Sequence, residues 1–164
     1  MTAGRQGPKR LRAWLAAGAI ATVFAATIIP ARALSGRIVA DWHSGLAIGG
    51  YDPVAYFTDG KPLAGSPEIE LRYGGVVWRF CNVGNRAAFA ERPDVYMPQY
   101  GGYDPTGVAR GVAVAGNPDL WTIASERLFL FYNPAQREKF LADPARLTAI
   151  AGRKWPLLLR SLNP

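Results

Sequence analysis

The chain is poor in the side chains from which most metal and catalytic sites are built. Its 164 residues include one cysteine, one histidine and two methionines, one of which is the initiator. A single cysteine excludes an intramolecular disulfide framework and a zinc site made of several thiolates. The sequence also lacks a phosphate-binding loop, a dinucleotide-binding glycine motif and a nucleophile elbow. The length allows one compact domain, and no motif predicts catalytic residues.

Acidic residues are absent from the first 33 positions, and this absence locates most of the basic excess. The formal net charge of the chain is +7. Five of these seven charges belong to the N-terminal stretch: Arg5, Lys9, Arg10, Arg12 and Arg32. The rest of the chain therefore carries +2, which is too little for the electrostatic footprint of a nucleic-acid-binding protein. We expect no nucleic-acid partner.

Residues 1–33 have the order of a secretory signal. The basic start is followed by an apolar run from Ala13 to Ile29, then by Pro30 and the triplet Ala31-Arg32-Ala33, which is typical of a cleavage site. No paired-arginine motif is present, so the sequence predicts Sec-type export to the periplasm, with cleavage after Ala33. The alternative is an uncleaved inner-membrane anchor, for which the apolar run is slightly short of the usual ~20 residues. In that case the membrane contact runs through the N-terminal segment alone.

The clearest local pattern predicts a β-hairpin. Residues 68–73 and 76–80 alternate between polar and apolar side chains, and the Gly74-Gly75 pair between them suits a two-residue turn. This register places Glu70 opposite Arg79, a favourable cross-strand charge pair. It also predicts one largely buried face made of three facing pairs: Tyr73 with Val76, Leu71 with Trp78, and Ile69 with Phe80.

Elsewhere the sequence predicts a second hairpin and three helices. The strands are residues 120–123 and 128–132, and the second is continuously apolar, as for a strand buried on both faces. Helices begin at Asn82, Asn133 and Asp143, and the last ends at Trp155-Pro156. Residues 94–119 are predicted mostly as loop, and no internal repeat is visible. The predicted fold is α+β: a small antiparallel sheet built from two hairpins, packed against short helices.

A series of motifs runs through the central part of the chain. It comprises Tyr73-Gly74-Gly75-x-x-Trp78-x-Phe80-Cys81, then Phe89, Pro93 and Tyr96, with Asp52-Pro53-Val54-Ala55 upstream. This series resembles the YHS domain family, whose opening is Asp-Pro-Val-Cys. Exported bacterial members are similar to this chain in further segments: residues 50–57, 99–103, 121–123, 128–133 and 155–156. The resemblance covers nearly all of residues 46–158, within a domain that we place at 46–160 after a flexible lead-in at 34–45.

Family members associated with metals hold them through several cysteines, and most of those positions are changed here. Ala55 stands at the opening cysteine, and Asn85 stands four residues after Cys81, where the second cysteine of a pair is expected. Asp104 follows Tyr103 where exported relatives often have cysteine. The resemblance therefore implies the fold and a link to metal handling, but it does not supply a metal site.

Three residues are candidate ligands for monovalent copper, which accepts a small set of soft donors: Cys81, His43 and Met97. Each also has an ordinary interpretation. Cys81 can be a small, partly buried apolar residue, His43 a solvated loop residue, and Met97 a residue that fills a gap in the core. Arg79, Arg86 and the start of a helix beside Cys81 favour its thiolate form. No pattern in the sequence brings the three together, so copper is a candidate and no cofactor is assigned.

Tyr96, Tyr100 and Tyr103 surround Gly101-Gly102, and this aromatic loop either binds a ligand or packs against the sheet.

The function that we expect is an exported, non-catalytic binding module of the YHS type with a link to copper homeostasis. One alternative is a thiol-redox protein or small enzyme that uses Cys81. Another is a structural or partner-binding domain without a small ligand. The sequence identifies no protein partner.

Overall fold

A computed structural model of the protein describes Met1 and residues 37–162. The predicted signal segment, its cleavage site and residues 34–36 of the lead-in therefore lie outside the described residues, apart from Met1. Within residues 37–162 the fold is α+β, as predicted, with two antiparallel hairpins and six short helices packed against them. None of the helices in this range is both long enough and apolar enough to cross a bilayer.

Each hairpin forms its own two-stranded sheet. The first sheet contains β1 (Ser66–Tyr73) and β2 (Val76–Phe80), and the second contains β3 (Asn117–Ala124) and β4 (Arg127–Phe131). The helices are α1 (Ala55–Thr58), α2 (Val83–Glu91), α3 (Pro93–Tyr96), α4 (Pro105–Arg110), α5 (Pro134–Ala142) and α6 (Pro144–Leu162). Short 3-10 turns at Ile48–Gly50 and Gln99–Gly102 precede α1 and α4.

The first hairpin has the predicted register near its turn. Tyr73 pairs with Val76 and Leu71 pairs with Trp78. The cross-strand charge pair is confirmed, since Arg79 Nε lies 2.9 Å from Glu70 Oε1.

Two details of this hairpin were predicted wrongly. Phe80 pairs with Ser66 and not with Ile69, because β1 is irregular between Ser66 and Glu70. An irregularity of this kind shifts the register of all residues beyond it. Tyr73 is 41 % exposed: it lies beside the turn, and its ring lies edge-on to that of Phe89.

β4 is buried on both faces, as its apolar run predicts. Leu128 and Leu130 point into a core cluster shared with the first hairpin. Phe129 and Phe131 point the other way, into a second cluster covered by α4, α5 and α6. The alternation of side chains along a strand thus joins the two clusters through one element.

The two hairpins belong to two copies of one structural unit, which corrects the prediction that no internal repeat exists. Both copies begin with Gly-Gly-Tyr-Asp-Pro, at residues 49–53 and 101–105. Both enter the hairpin through Ala-Gly-x-Pro, at residues 64–67 and 115–118. We call residues 49–97 the first repeat and residues 101–148 the second.

The same backbone contacts recur in both repeats. The Gly65 N–H donates to Gly50 O and the Gly116 N–H donates to Gly102 O, each at 2.9 Å. Three further features recur: the offset strand pairs Ser66–Phe80 and Asn117–Phe131, the helix caps Asn82 and Asn133, and the ring clusters Trp78–Phe80–Phe89 and Phe129–Phe131–Phe140. Sequence inspection missed the repeat because equivalent side chains have different surroundings. Arg79 is half-exposed on the first hairpin, whereas its counterpart Leu130 is buried between the repeats.

Two segments predicted as loop or lead-in are more ordered than expected. Residues 94–119 contain α4, because Asp104 caps that helix and Pro105 begins it. The described part of the predicted lead-in, residues 37–45, also contacts the rest of the fold. Ile38 is buried in the first core cluster, and the Val39 N–H donates to Gly101 O.

α6 continues through Pro156 to Leu162, although the sequence predicts that it ends at Trp155-Pro156. A proline inside a helix removes one backbone hydrogen bond and costs roughly 3 kcal/mol. Here Trp155 and Leu158, on either side of the proline, both pack against the second core cluster. Tertiary packing on both sides therefore offsets the local cost of Pro156.

Candidate functional site

The chemically distinctive site of the first repeat is built around a buried carboxylate. Asp52 is fully buried, in the turn that leads into α1. Its Oδ1 accepts a hydrogen bond from the Val54 N–H at 2.9 Å. Its Oδ2 accepts from the Cys81 N–H at 2.9 Å and from Asn85 Nδ2 at 2.7 Å. Asp52 therefore ties the start of α1 to the junction between β2 and α2.

Cys81 is partly exposed at this junction. Its Sγ lies 3.4 Å from Nδ2 of Asn82 and 3.4 Å from Nδ2 of Asn85. Desolvation, followed by the neighbouring Asp52 carboxylate, raises the pKa of the Cys81 thiol to about 11. The thiol is therefore protonated at neutral pH.

The expectation that nearby arginines favour the thiolate is wrong. Arg79 pairs with the Glu70 carboxylate, and Arg86 Nε donates to the Glu70 carbonyl at 2.8 Å. Both guanidinium groups are thus directed to β1. The closest charge to the thiol is the negative charge of Asp52, which favours the neutral form.

The second repeat contains the same carboxylate device without the thiol. Oδ1 of the buried Asp104 accepts hydrogen bonds from the backbone N–H groups of Thr106 and Gly107, and its Oδ2 accepts from the Tyr132 N–H at 2.8 Å. Tyr132 stands in the place of Cys81, and Gln136 stands in the place of Asn85. Because both repeats keep the carboxylate contacts and only one has a thiol, we assign Asp52 and Asp104 to fold stability.

The three proposed copper ligands contact different parts of the structure. His43 lies in an exposed turn, where its backbone N–H donates to Asp41 Oδ1 and its ring lies against Trp42. Met97 is half-buried against the first core cluster and lines a cleft beside the hairpin turn at Gly74. Cys81 follows the opposite end of β2, on the order of 20 Å along the strand from that turn. No contact joins the three, and residues 37–162 contain no group of three or more His, Cys, Asp or Glu side chains placed to hold a metal.

The three tyrosines of the aromatic loop contribute to packing. Tyr96 lies edge-on to Phe57 with ring centroids 5.5 Å apart. Tyr100 is buried, and its hydroxyl donates to the Thr148 carbonyl at 3.1 Å. The ring of Tyr103 lies 5.8 Å from Trp155. Tyr100 and Tyr103 therefore hold α6 against the second repeat.

The structure also contains a cleft of about 410 Å³ that the sequence did not reveal. Its walls come from the N-terminal end of the described chain, the turn of the first hairpin, the loop after α3 and the C-terminal half of α6. Met97, Tyr73 and Trp155 are among its apolar lining residues, and Arg37 supplies a positive charge. Such a site cannot be read from any one motif, because four separate segments form it.

Comparisons with protein-family models, with curated proteins and with solved structures find no match for this chain.

Proposed function

We propose that this protein is an exported, non-catalytic binding module of the YHS type. The proposal rests on one observation: the polar groups around Cys81 are engaged in hydrogen bonds within the protein. Asp52 accepts three hydrogen bonds from protein donors, Asn85 donates to both Asp52 and the thiol, and the thiol itself has a pKa of about 11. These groups support the fold and leave neither a free general base nor a thiolate at neutral pH.

The main alternative, a thiol-redox protein or small enzyme, requires Cys81 to react as a thiolate near neutral pH. We expect alkylation of Cys81 by iodoacetamide at pH 7 to be at least about tenfold slower than alkylation of the same chain unfolded in denaturant, where the thiol has its ordinary pKa near 8.5. Intact mass spectrometry over a series of pH values measures both rates. The folded rate should keep rising above pH 9, toward the pKa of about 11. A rate that levels off below pH 8 contradicts the proposal and supports the redox alternative.

The link to copper homeostasis forms the finer part of the proposal, and it rests on the resemblance. Because His43 and Met97 lie apart from Cys81, we expect only weak monovalent-copper binding, in which the thiol acts without them. Competition with a monovalent-copper chelator should show that Cys81→Ser removes this binding, while His43→Ala and Met97→Leu leave it unchanged. Tight stoichiometric binding that persists in Cys81→Ser would contradict the assignment of this ligand.

A further inference from the structure

The second repeat contains an open pocket of about 370 Å³ between three helices. α4 contributes Arg110, α5 contributes Lys139 and α6 contributes Arg146 to its walls. Its apolar floor is made of half-buried residues that include Ala109 and Leu147. Three cations from three helices thus surround a small apolar surface.

The equivalent space in the first repeat is filled by two aromatic rings. Phe57 occupies the position of Ala109, and Tyr96 occupies the position of Leu147. The two rings pack edge-on, with centroids 5.5 Å apart, against the first core cluster. The smaller side chains of the second repeat leave open the volume that the rings fill in the first.

The charges of the pocket also distinguish the repeats. Neutral residues occupy the three equivalent positions in the first repeat: Thr58, Ala88 and Val95. The second repeat therefore has smaller side chains and three cations at the place where the first repeat has two rings and neutral side chains.

The three cations of the pocket lack ion-pair partners within residues 37–162. The ion pairs in this part of the chain join Arg79 to Glu70 and Arg92 to Asp94. Asp143 lies at the rim of the pocket, and its Oδ1 accepts a hydrogen bond from the Arg146 backbone N–H at 3.1 Å. Its negative charge offsets one of the three cations, so the pocket keeps an excess of two positive charges.

We propose that this pocket binds a small organic dianion with an apolar body. The excess charge matches two negative charges, and the apolar floor matches a hydrocarbon or aromatic part. The volume lies at the lower end of the ~300–1,000 Å³ typical of small-molecule sites, so the ligand is small. A phosphomonoester and a dicarboxylate share this chemistry. The inference extends the proposed binding role to a ligand class, but it does not involve Cys81.

Phenyl phosphate and phthalate are suitable probes, because both are compact aromatic dianions near pH 7.5. Titration of the purified protein at low salt, followed by calorimetry, should show one binding site for at least one probe. Arg146→Gln should weaken this binding at least fivefold. Arg72→Gln is the matched control, because it removes the same charge from the exposed face of the first hairpin and should change the affinity less than twofold. Benzyl alcohol, which has no charge, should not bind.

A second variant tests the shape of the pocket separately from its charge. Ala109→Phe combined with Leu147→Tyr restores the residues of the first repeat, and it should abolish probe binding while all three cations remain. Its circular dichroism spectrum and Tm establish whether it is folded, and Arg146→Gln tests the site independently.

Absence of binding to both probes at millimolar concentration overturns the proposal. Equal weakening in Arg146→Gln and Arg72→Gln also overturns it, because that result means diffuse attraction. Either failure leaves the Cys81 alkylation profile, and hence the test of the non-catalytic role, unaffected.

Discussion

Replacement of Trp78 by alanine is expected to lower the free energy of unfolding by about 3–5 kcal/mol. Trp78 is fully buried in the first core cluster, and its ring centroid lies 4.9 Å from that of Phe89. Its Nε1 also donates to the Tyr73 carbonyl at 3.1 Å. The substitution therefore removes the apolar contacts of a large ring, leaves a cavity and takes away one hydrogen-bond donor.

Urea denaturation followed by circular dichroism measures this loss. Trp42→Ala is the matched control, because Trp42 is 84 % exposed and its removal should cost less than about 0.5 kcal/mol. If Trp78→Ala remains within about 1 kcal/mol of the wild type, the central position of this residue in the first cluster is wrong.

Replacement of Asp104 by alanine is expected to cost about 3–5 kcal/mol. The carboxylate of Asp104 caps α4 through Thr106 and Gly107, and it holds the start of α5 through the Tyr132 N–H. Its loss leaves buried backbone donors without an acceptor, and each such group costs roughly 1–3 kcal/mol. The repeat structure adds a second expectation, since Asp52→Ala should cost a similar amount.

A graded series separates the loss of the acceptor from the loss of charge. Asp104→Asn keeps one acceptor oxygen and should cost less than Asp104→Ala. Asp94→Ala is the control: the exposed Asp94 carboxylate forms a long ion pair of 3.7 Å with Arg92. The Asp94 backbone carbonyl, which accepts from Arg127, stays in the variant, so the substitution should cost less than about 1 kcal/mol. If Asp104→Ala destabilises no more than Asp94→Ala, the buried carboxylate does not hold the second repeat together.

The elements that were predicted correctly depend on neighbours in the sequence. Asn82 and Asn133 cap α2 and α5 because each side chain accepts a hydrogen bond from a backbone N–H three residues later. Glu70 meets Arg79 because a two-residue turn sets the register of the strands that it joins. Such features follow from side-chain period and local geometry, so the pattern of residues was sufficient to predict them.

The repeat was visible in principle, because Gly-Gly-Tyr-Asp-Pro occurs twice in identical form. It is hard to recognise because equivalent positions in the two copies differ in burial and therefore in residue type. One hairpin keeps Arg79 at the surface, and the other buries Leu130 against its partner repeat. Residues at such positions diverge according to what covers them, and the covering element is distant in sequence.

The α+β class, both hairpin turns, the caps of α2 and α5 and the apolar run of β4 could be predicted from the sequence, since each depends on residues close to one another along the chain. The protonation of the Cys81 thiol depends on the folded structure, because its pKa is raised first by desolvation and then by Asp52, which lies 29 residues away along the chain. Tertiary structure also decided that α6 passes Pro156, where core packing on both sides offsets a local cost. The pocket between α4, α5 and α6 likewise depends on the folded structure, because Arg110, Lys139 and Arg146 come together only where the three helices meet. Burial and long-range charge are properties of the folded surroundings, and no local pattern of residues encodes them.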